Sequence, residues 1–184
     1  MSKGLRRGHR DLPLSTACRA SFHIGSFSKS VSASLRCGYI AARPDWIESL
    51  TNLKIATAFG GGRLAADVVL KVLTDSGYRK HMESIRLRLA REMEKTLAGL
   101  QSVGIEPWLV PRAGMFLWCR LPQGLDAASV ARSCLKEGIV LAPGNAFSQS
   151  LSAGDFLRFN VAQCHDPRIF EVLSRVLNQQ AGSA

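Results

Sequence analysis

Between Tyr78 and Leu100, the apolar residues Tyr78, Met82, Ile85, Leu89, Met93, Leu97 and Leu100 recur at spacings of three and four. That period places them on one face of a helix, with the charged residues opposite. The spacing predicts a long amphipathic helix ended by Gly104.

The segments after Gly104 change period. Glu106 to Val110 and Met115 to Leu121 read as strands joined by a turn over Pro111 to Gly114. Asp126 caps a short helix through Leu135, and Gly138 stops it. Ile139 to Leu141 and Phe156 to Val161 read as further strands. Asp166-Pro167 opens a last helix carrying Ile169, Phe170, Leu173, Val176 and Leu177. Helices packed on a short sheet are expected here, a small α/β or α+β domain.

Before the long helix, Ser21 to Phe27 and Leu35 to Ala42 are strand candidates separated by a Ser-rich turn. Pro44 suits a first helical turn, with Trp46, Ile47, Leu50 and Leu53 as its stripe. Gly60-Gly61-Gly62 breaks the chain. A further helix from about Arg63 has Leu64, Val68, Val69, Val72 and Leu73 on one face.

Charge excludes less than it suggests. The chain has 24 Lys+Arg against 14 Asp+Glu, a net charge of +10. Five of the basic residues (Lys3, Arg6, Arg7, Arg10, Arg19) fall in the first twenty positions, read as a loose tail. The basic residues from Arg79 to Lys95 are mixed with Glu83, Glu92 and Glu94, as on a solvated helix face. No nucleic-acid motif accompanies them, so this chain alone is not expected to bind nucleic acid. The cysteines Cys18, Cys37, Cys119, Cys134 and Cys164 show no metal-ligand spacing and read as idle thiols in a reducing cytosol. No metal site, membrane span or secretory signal is expected.

The stretch that carries chemistry is Gly25-Ser26-Phe27-Ser28-Lys29, followed by Arg36 and then Gly38-Tyr39. Ser26 and Ser28 offer two hydroxyl donors to phosphate oxygens. Arg36 offers a planar fork of donors with permanent charge. Lys29 is an amine that can condense with an aldehyde held by that phosphate, once deprotonated. Ser-x-Ser-Lys by itself is common in solvated loops, so Arg36 and its neighbours carry weight. A second candidate is Arg158, in the strand-like run Leu157-Arg158-Phe159-Asn160. A charge among apolar residues needs an anionic partner. Its alternatives are an exposed edge-strand arginine or a bidentate clamp on a carboxylate.

The segment GSFSKSVSASLRCGYIAA resembles the pyridoxal-phosphate (PLP) lysine segment of fold type I aminotransferases of class I/II. The spacing from Lys29 to Arg36 is similar to that of the branch with the MocR-type regulators of the GntR superfamily. SGYRKHMESIRLRLARE, PRAGMFLWCRLPQGLDA, GIVLAPGNAFS and LRFNVAQ resemble later blocks of that branch, in the same order, so that the likeness runs from about residue 21 to 180.

The resemblance implies an α/β fold: a loose tail over 1–20, part of the PLP-binding large domain over 21–75, then over 76–184 a long connecting helix and a small C-terminal α/β domain. It implies that Lys29 carries PLP and shuttles a proton, that Ser26, Ser28 and Arg36 hold the phosphate, and that Arg158 binds the substrate α-carboxylate. The reaction implied is amino transfer between an amino acid and a 2-oxo acid, by a cytoplasmic homodimer.

The family also uses a glycine-rich turn, an aromatic ring over the pyridine and an Asp beside the pyridinium nitrogen, all from the first half of the large domain. The residues before Lys29 do not show that half, so a truncated form with a weakened electron sink is expected. The alternatives are the effector-sensing part of a MocR-type transcription regulator and a basic α/β binding module without cofactor.

Overall fold

The computed structural model describes residues 21–122 and 124–182; the basic tail and Cys18 lie outside the described residues. The chain forms two compact units, one up to Lys80 and one from His81.

The first unit opens with two antiparallel strands, β1 (His23–Ser26) and β2 (Gly38–Ala41), paired from His23 against Ala41 to Ser26 against Gly38. The expected strand over Leu35 to Ala42 starts later. Ser32 Oγ accepts the Ser34 N–H at 3.3 Å and turns Ala33–Leu35 into a 3-10 turn. Helix α1 (Pro44–Ala58) begins with proline in its first turn, as expected. Trp46 stacks on Phe22 with ring centroids 4.5 Å apart. The triple glycine separates α1 from α2 (Arg63–Thr74).

The apolar stripes of both helices form but are not covered within this unit. Leu53, Leu64 and Leu70 are exposed, Phe59 is 95% exposed, and among the described residues of the unit only Val69 reaches core burial. Most of the apolar surface of these two helices is therefore left uncovered by the described residues of the unit.

The second unit has a conventional core. Helix α3 (Gly77–Ser102) crosses the unit boundary in its first turn and stops at Gly104, which has φ 76. The sheet is antiparallel in the order β3 (Glu106–Pro107), β4 (Phe116–Arg120), β6 (Phe156–Asn160), β5 (Ala142–Pro143). β3 is shorter than the sequence pattern predicts, and β5 lies just past the expected strand Ile139 to Leu141, none of which pairs. Each holds a proline, which cannot donate to a ladder and is tolerated on the outermost strands where both sit.

Strand alternation sorts the side chains. Leu117, Cys119, Leu157 and Phe159 point to the core, where they meet Met93 and Leu100 of α3, Val130 and Cys134 of α4 (Ala127–Lys136), and Val172, Leu173, Val176 and Leu177 of α5 (Arg168–Ala181). The predicted caps are in place: Asp126 accepts the Ser129 N–H at 2.8 Å, and Asp166 accepts the Arg168 N–H at 2.9 Å. On the opposite face of the sheet, Phe116, Trp118 and Arg120 of β4 stand beside Phe156, Arg158 and Asn160 of β6. No helix among the described residues is long and apolar enough to cross a membrane.

Candidate functional site

Four of the five candidate residues gather at the root of one loop. The Phe27 N–H donates to Cys37 O at 3.0 Å, continuing the β1–β2 pairing and closing the loop over residues 28–36. Lys29 sits in a tight turn within it, formed as Val31 N–H and Ser32 N–H both donate to Phe27 O, at 2.8 and 3.2 Å. Ser26 is the last residue of β1, and Ser28 lies one residue past the closing bond. Arg36 lies one residue before that bond on the returning side.

The two hydroxyls are in contact. Ser26 Oγ donates to Ser28 Oγ at 3.0 Å and accepts the Ser28 N–H at 3.2 Å. Ser28 is half-buried, whereas Ser26, Lys29 and Arg36 are exposed. Arg36 adopts φ 49, ψ 40, a left-handed conformation that favours glycine. It is the C-cap of the Ala33–Leu35 turn, and its N–H donates to Ala33 O at 3.3 Å.

Gly25 fixes the local packing beneath this root. A Cβ there would come within 2.3 Å of the Tyr39 ring, so glycine lets Tyr39 lie across β1. Tyr39 also packs 5.5 Å from Phe27 and its hydroxyl is 3.3 Å from His23 Nε2.

The fifth candidate, Arg158, belongs to the second unit. Its strand β6 lies between β4 and β5, so it is not an edge-strand arginine. It is half-buried, opposite Trp118 on one side and Ala142 on the other. The ion pairs among the described residues give it no acidic partner. Instead its guanidinium carbon lies 4.5 Å from the Phe116 ring centre and 3.9 Å from that of Phe147. It lines an open cleft of about 620 Å³ together with Asn160, Gln163, His165, Arg168 and one carboxylate, Asp166. A half-buried cation with no acidic partner among the described residues is suited to an anionic ligand.

Sequence reasoning missed the aromatic residues around Arg158. The alternation in Phe116-Leu117-Trp118-Cys119-Arg120 was the available signal for Phe116. No local signal points to Phe147, because it reaches Arg158 from another part of the chain.

The thiols are structural. Burial pushes Cys119 up to about 12, with the Cys164 charge adding to it, and pushes Cys164 up to about 11. Cys134 is raised too, again chiefly by burial.

Residues 14–176 match the family aminotransferase class I and II. The chain belongs to that family, which is PLP-dependent. It is 28% identical over 142 residues to the uncharacterized HTH-type transcriptional regulator YdfD of Bacillus subtilis, covering 76% of this chain and 29% of the regulator. It is 30% identical over 159 residues to the 2-aminoadipate transaminase of Thermus thermophilus, covering 84% of this chain and 39% of the transaminase. Among solved structures, LysN, the alpha-aminoadipate aminotransferase of Thermus thermophilus, superposes with a TM-score of 0.81 at 24% identity, covering 92% of this chain and 45% of that one. The fold is thus part of an aminotransferase fold, and the chain spans less than half the length of these relatives.

Proposed function

We propose that this chain carries the cofactor-lysine and carboxylate-binding residues of a PLP-dependent aminotransferase, working between an amino acid and a 2-oxo acid. The observation that carries the reading is the loop root. The hydroxyls of Ser26 and Ser28 are in contact, and Lys29 and Arg36 belong to the same short loop, closed by the Phe27–Cys37 hydrogen bond. That donor set fits a phosphate dianion beside a reactive aldehyde.

In this reading Ser26, Ser28 and Arg36 hold the phosphate. Lys29 Nζ would hold the cofactor and would take and return the proton at the substrate α-carbon. Arg158, in the second unit, binds the substrate α-carboxylate. PLP, when bound, supplies the electron sink for the carbanion. The reading brings with it the family's homodimer and a cytoplasmic setting.

A second reading is favoured by the similarity to YdfD. The same residues would then bind PLP and an amino acid as effectors, in the sensing part of a transcription regulator. Detected amino transfer from an amino acid to a 2-oxo acid would exclude the sensor reading, because a sensor binds without turnover.

The test is a PLP titration of the purified chain, followed by borohydride reduction and peptide mapping. The expected result is a saturable absorbance band with the reduced adduct on Lys29, absent in Lys29→Ala. Adducts scattered over surface lysines would sink the proposal.

A further inference from the structure

Arg158 is embraced by aromatic rings from two different parts of the second unit. Phe116 comes from β4, and Phe147 ends the 3-10 turn Gly144–Phe147 that follows β5. Phe147 is not there to fill the core, since it is 48% exposed. Its position is nevertheless well defined. The edge of Trp118 meets it at 6.1 Å and 78°, and Trp118 itself lies flat on Phe156 at 5.3 Å and 13°. The start of the turn is pinned as well. Gly144 is buried, and a Cβ there would come within 2.3 Å of Ala153 O. Asn145 Oδ1 accepts the Ala153 N–H at 3.0 Å.

A guanidinium packed against phenyl rings is attracted through its flat face, while its N–H donors lie in its plane and point outward. Ring contact therefore limits rotation of the fork without consuming a donor. We propose that Phe147, with Phe116 as the second ring, is a positioning residue that fixes the plane of the Arg158 guanidinium for edge-on pairing with a planar carboxylate. The carboxylate half of this inference rests on the function proposed above; the positioning half rests on the ring geometry alone.

The test uses the full chain labelled with ¹⁵N and ¹³C at arginine, with the Arg158 Nε–Hε resonance assigned through Arg158→Lys. In the native chain this resonance should carry a ring-current shift and slow rotation about Nε–Cζ. In Phe147→Leu the shift should collapse and rotation should quicken about tenfold. Phe147→Tyr should restore both, and Phe116→Leu should move them in the same direction as Phe147→Leu. An unchanged resonance and rotation rate in a folded Phe147→Leu chain would overturn the positioning role.

The same samples are titrated with pyruvate as the carboxylate probe. Weakening of about tenfold in Phe147→Leu, with loss in Arg158→Lys, supports the whole inference. Equal affinity in the native chain and Phe147→Leu overturns the link from ring to ligand. A native chain that shows the ring signature but no pyruvate binding overturns the carboxylate reading and upholds the ring contact.

Discussion

Ser26 Oγ points its proton at Ser28 Oγ, 3.0 Å away, while accepting the Ser28 N–H. The Ser28 hydroxyl proton is thereby left for an acceptor outside the pair. Ser28→Ala should weaken PLP binding about tenfold, the size of one hydrogen bond to a charged group. Ser26→Ala should cost less, because it removes the inner member of the relay. Absorbance titration of both variants checks this, and a larger loss for Ser26→Ala would reverse the assigned order.

Arg36 holds a backbone conformation that costs a non-glycine residue about 1 kcal/mol. Arg36→Gly should raise the stability of the first unit by about that amount. It should also weaken PLP binding by tenfold or more, on the order of one charge-assisted hydrogen bond. Urea unfolding followed by fluorescence in a Trp108→Phe/Trp118→Phe background, where Trp46 is the remaining tryptophan, reports the first effect, and PLP titration reports the second. Two effects of opposite sign identify a binding residue; loss of both stability and affinity would mark Arg36 as a structural one.

Thr96 is fully buried on α3, and its hydroxyl has no hydrogen-bond partner among the described residues. An orphaned hydroxyl in an apolar core is a net cost, and valine has the same shape. Thr96→Val should stabilise the second unit by about 1 kcal/mol. Leu157→Ala in the same core should destabilise it by about 2–5 kcal/mol. Urea midpoints measure both. A Thr96→Val chain that melts earlier would mean that the hydroxyl is satisfied in solution.

Cys119 and Cys164 have folded-state pKa values of about 12 and about 11, above their ordinary value of 9.0. The sign comes from proton uptake: above pH 9.0 the unfolded chain ionises these thiols while the folded chain keeps them protonated. Stability is therefore complete below the ordinary thiol pKa and falls as pH climbs toward the folded values. Each thiol contributes a slope of up to about 1.4 kcal/mol per pH unit in that window. Urea unfolding at neutral and alkaline pH should show the loss, and Cys119→Ala should reduce its slope. At neutral pH, half-buried Cys37 should alkylate well before Cys119 and Cys164. An equal rate at all of them would contradict the buried thiols.

The periodicity of Met82 to Leu100 and of Ile169 to Leu177 was enough to locate α3 and α5, since an amphipathic stripe is a local property of the chain. Asp126 and Asp166 announced their helix starts for the same reason. The segment from Gly25 to Tyr39 identified the loop that gathers Ser26, Ser28, Lys29 and Arg36, because those residues are close in sequence and one turn suffices to join them. Strand limits were less legible. Ile139 to Leu141 has strand-like residues, yet pairing is confined to Ala142–Pro143, where β6 offers a partner. The stripe of α2 predicted a buried face, but Leu64 is 78% exposed. Whether a stripe is covered depends on what packs against it, and that is not a local property.

By itself, then, the amino-acid order determined the kinds of element, their caps, and the identities of the candidate site residues. Tertiary structure alone decided that Arg158 stands on an interior strand with Phe116 and Phe147 against its guanidinium. The physical reason is separation along the chain. Contacts within a helical turn or a short loop are set by the backbone near each residue, whereas ring contacts from β4 and from the turn after β5 exist only once the sheet has brought those segments to β6.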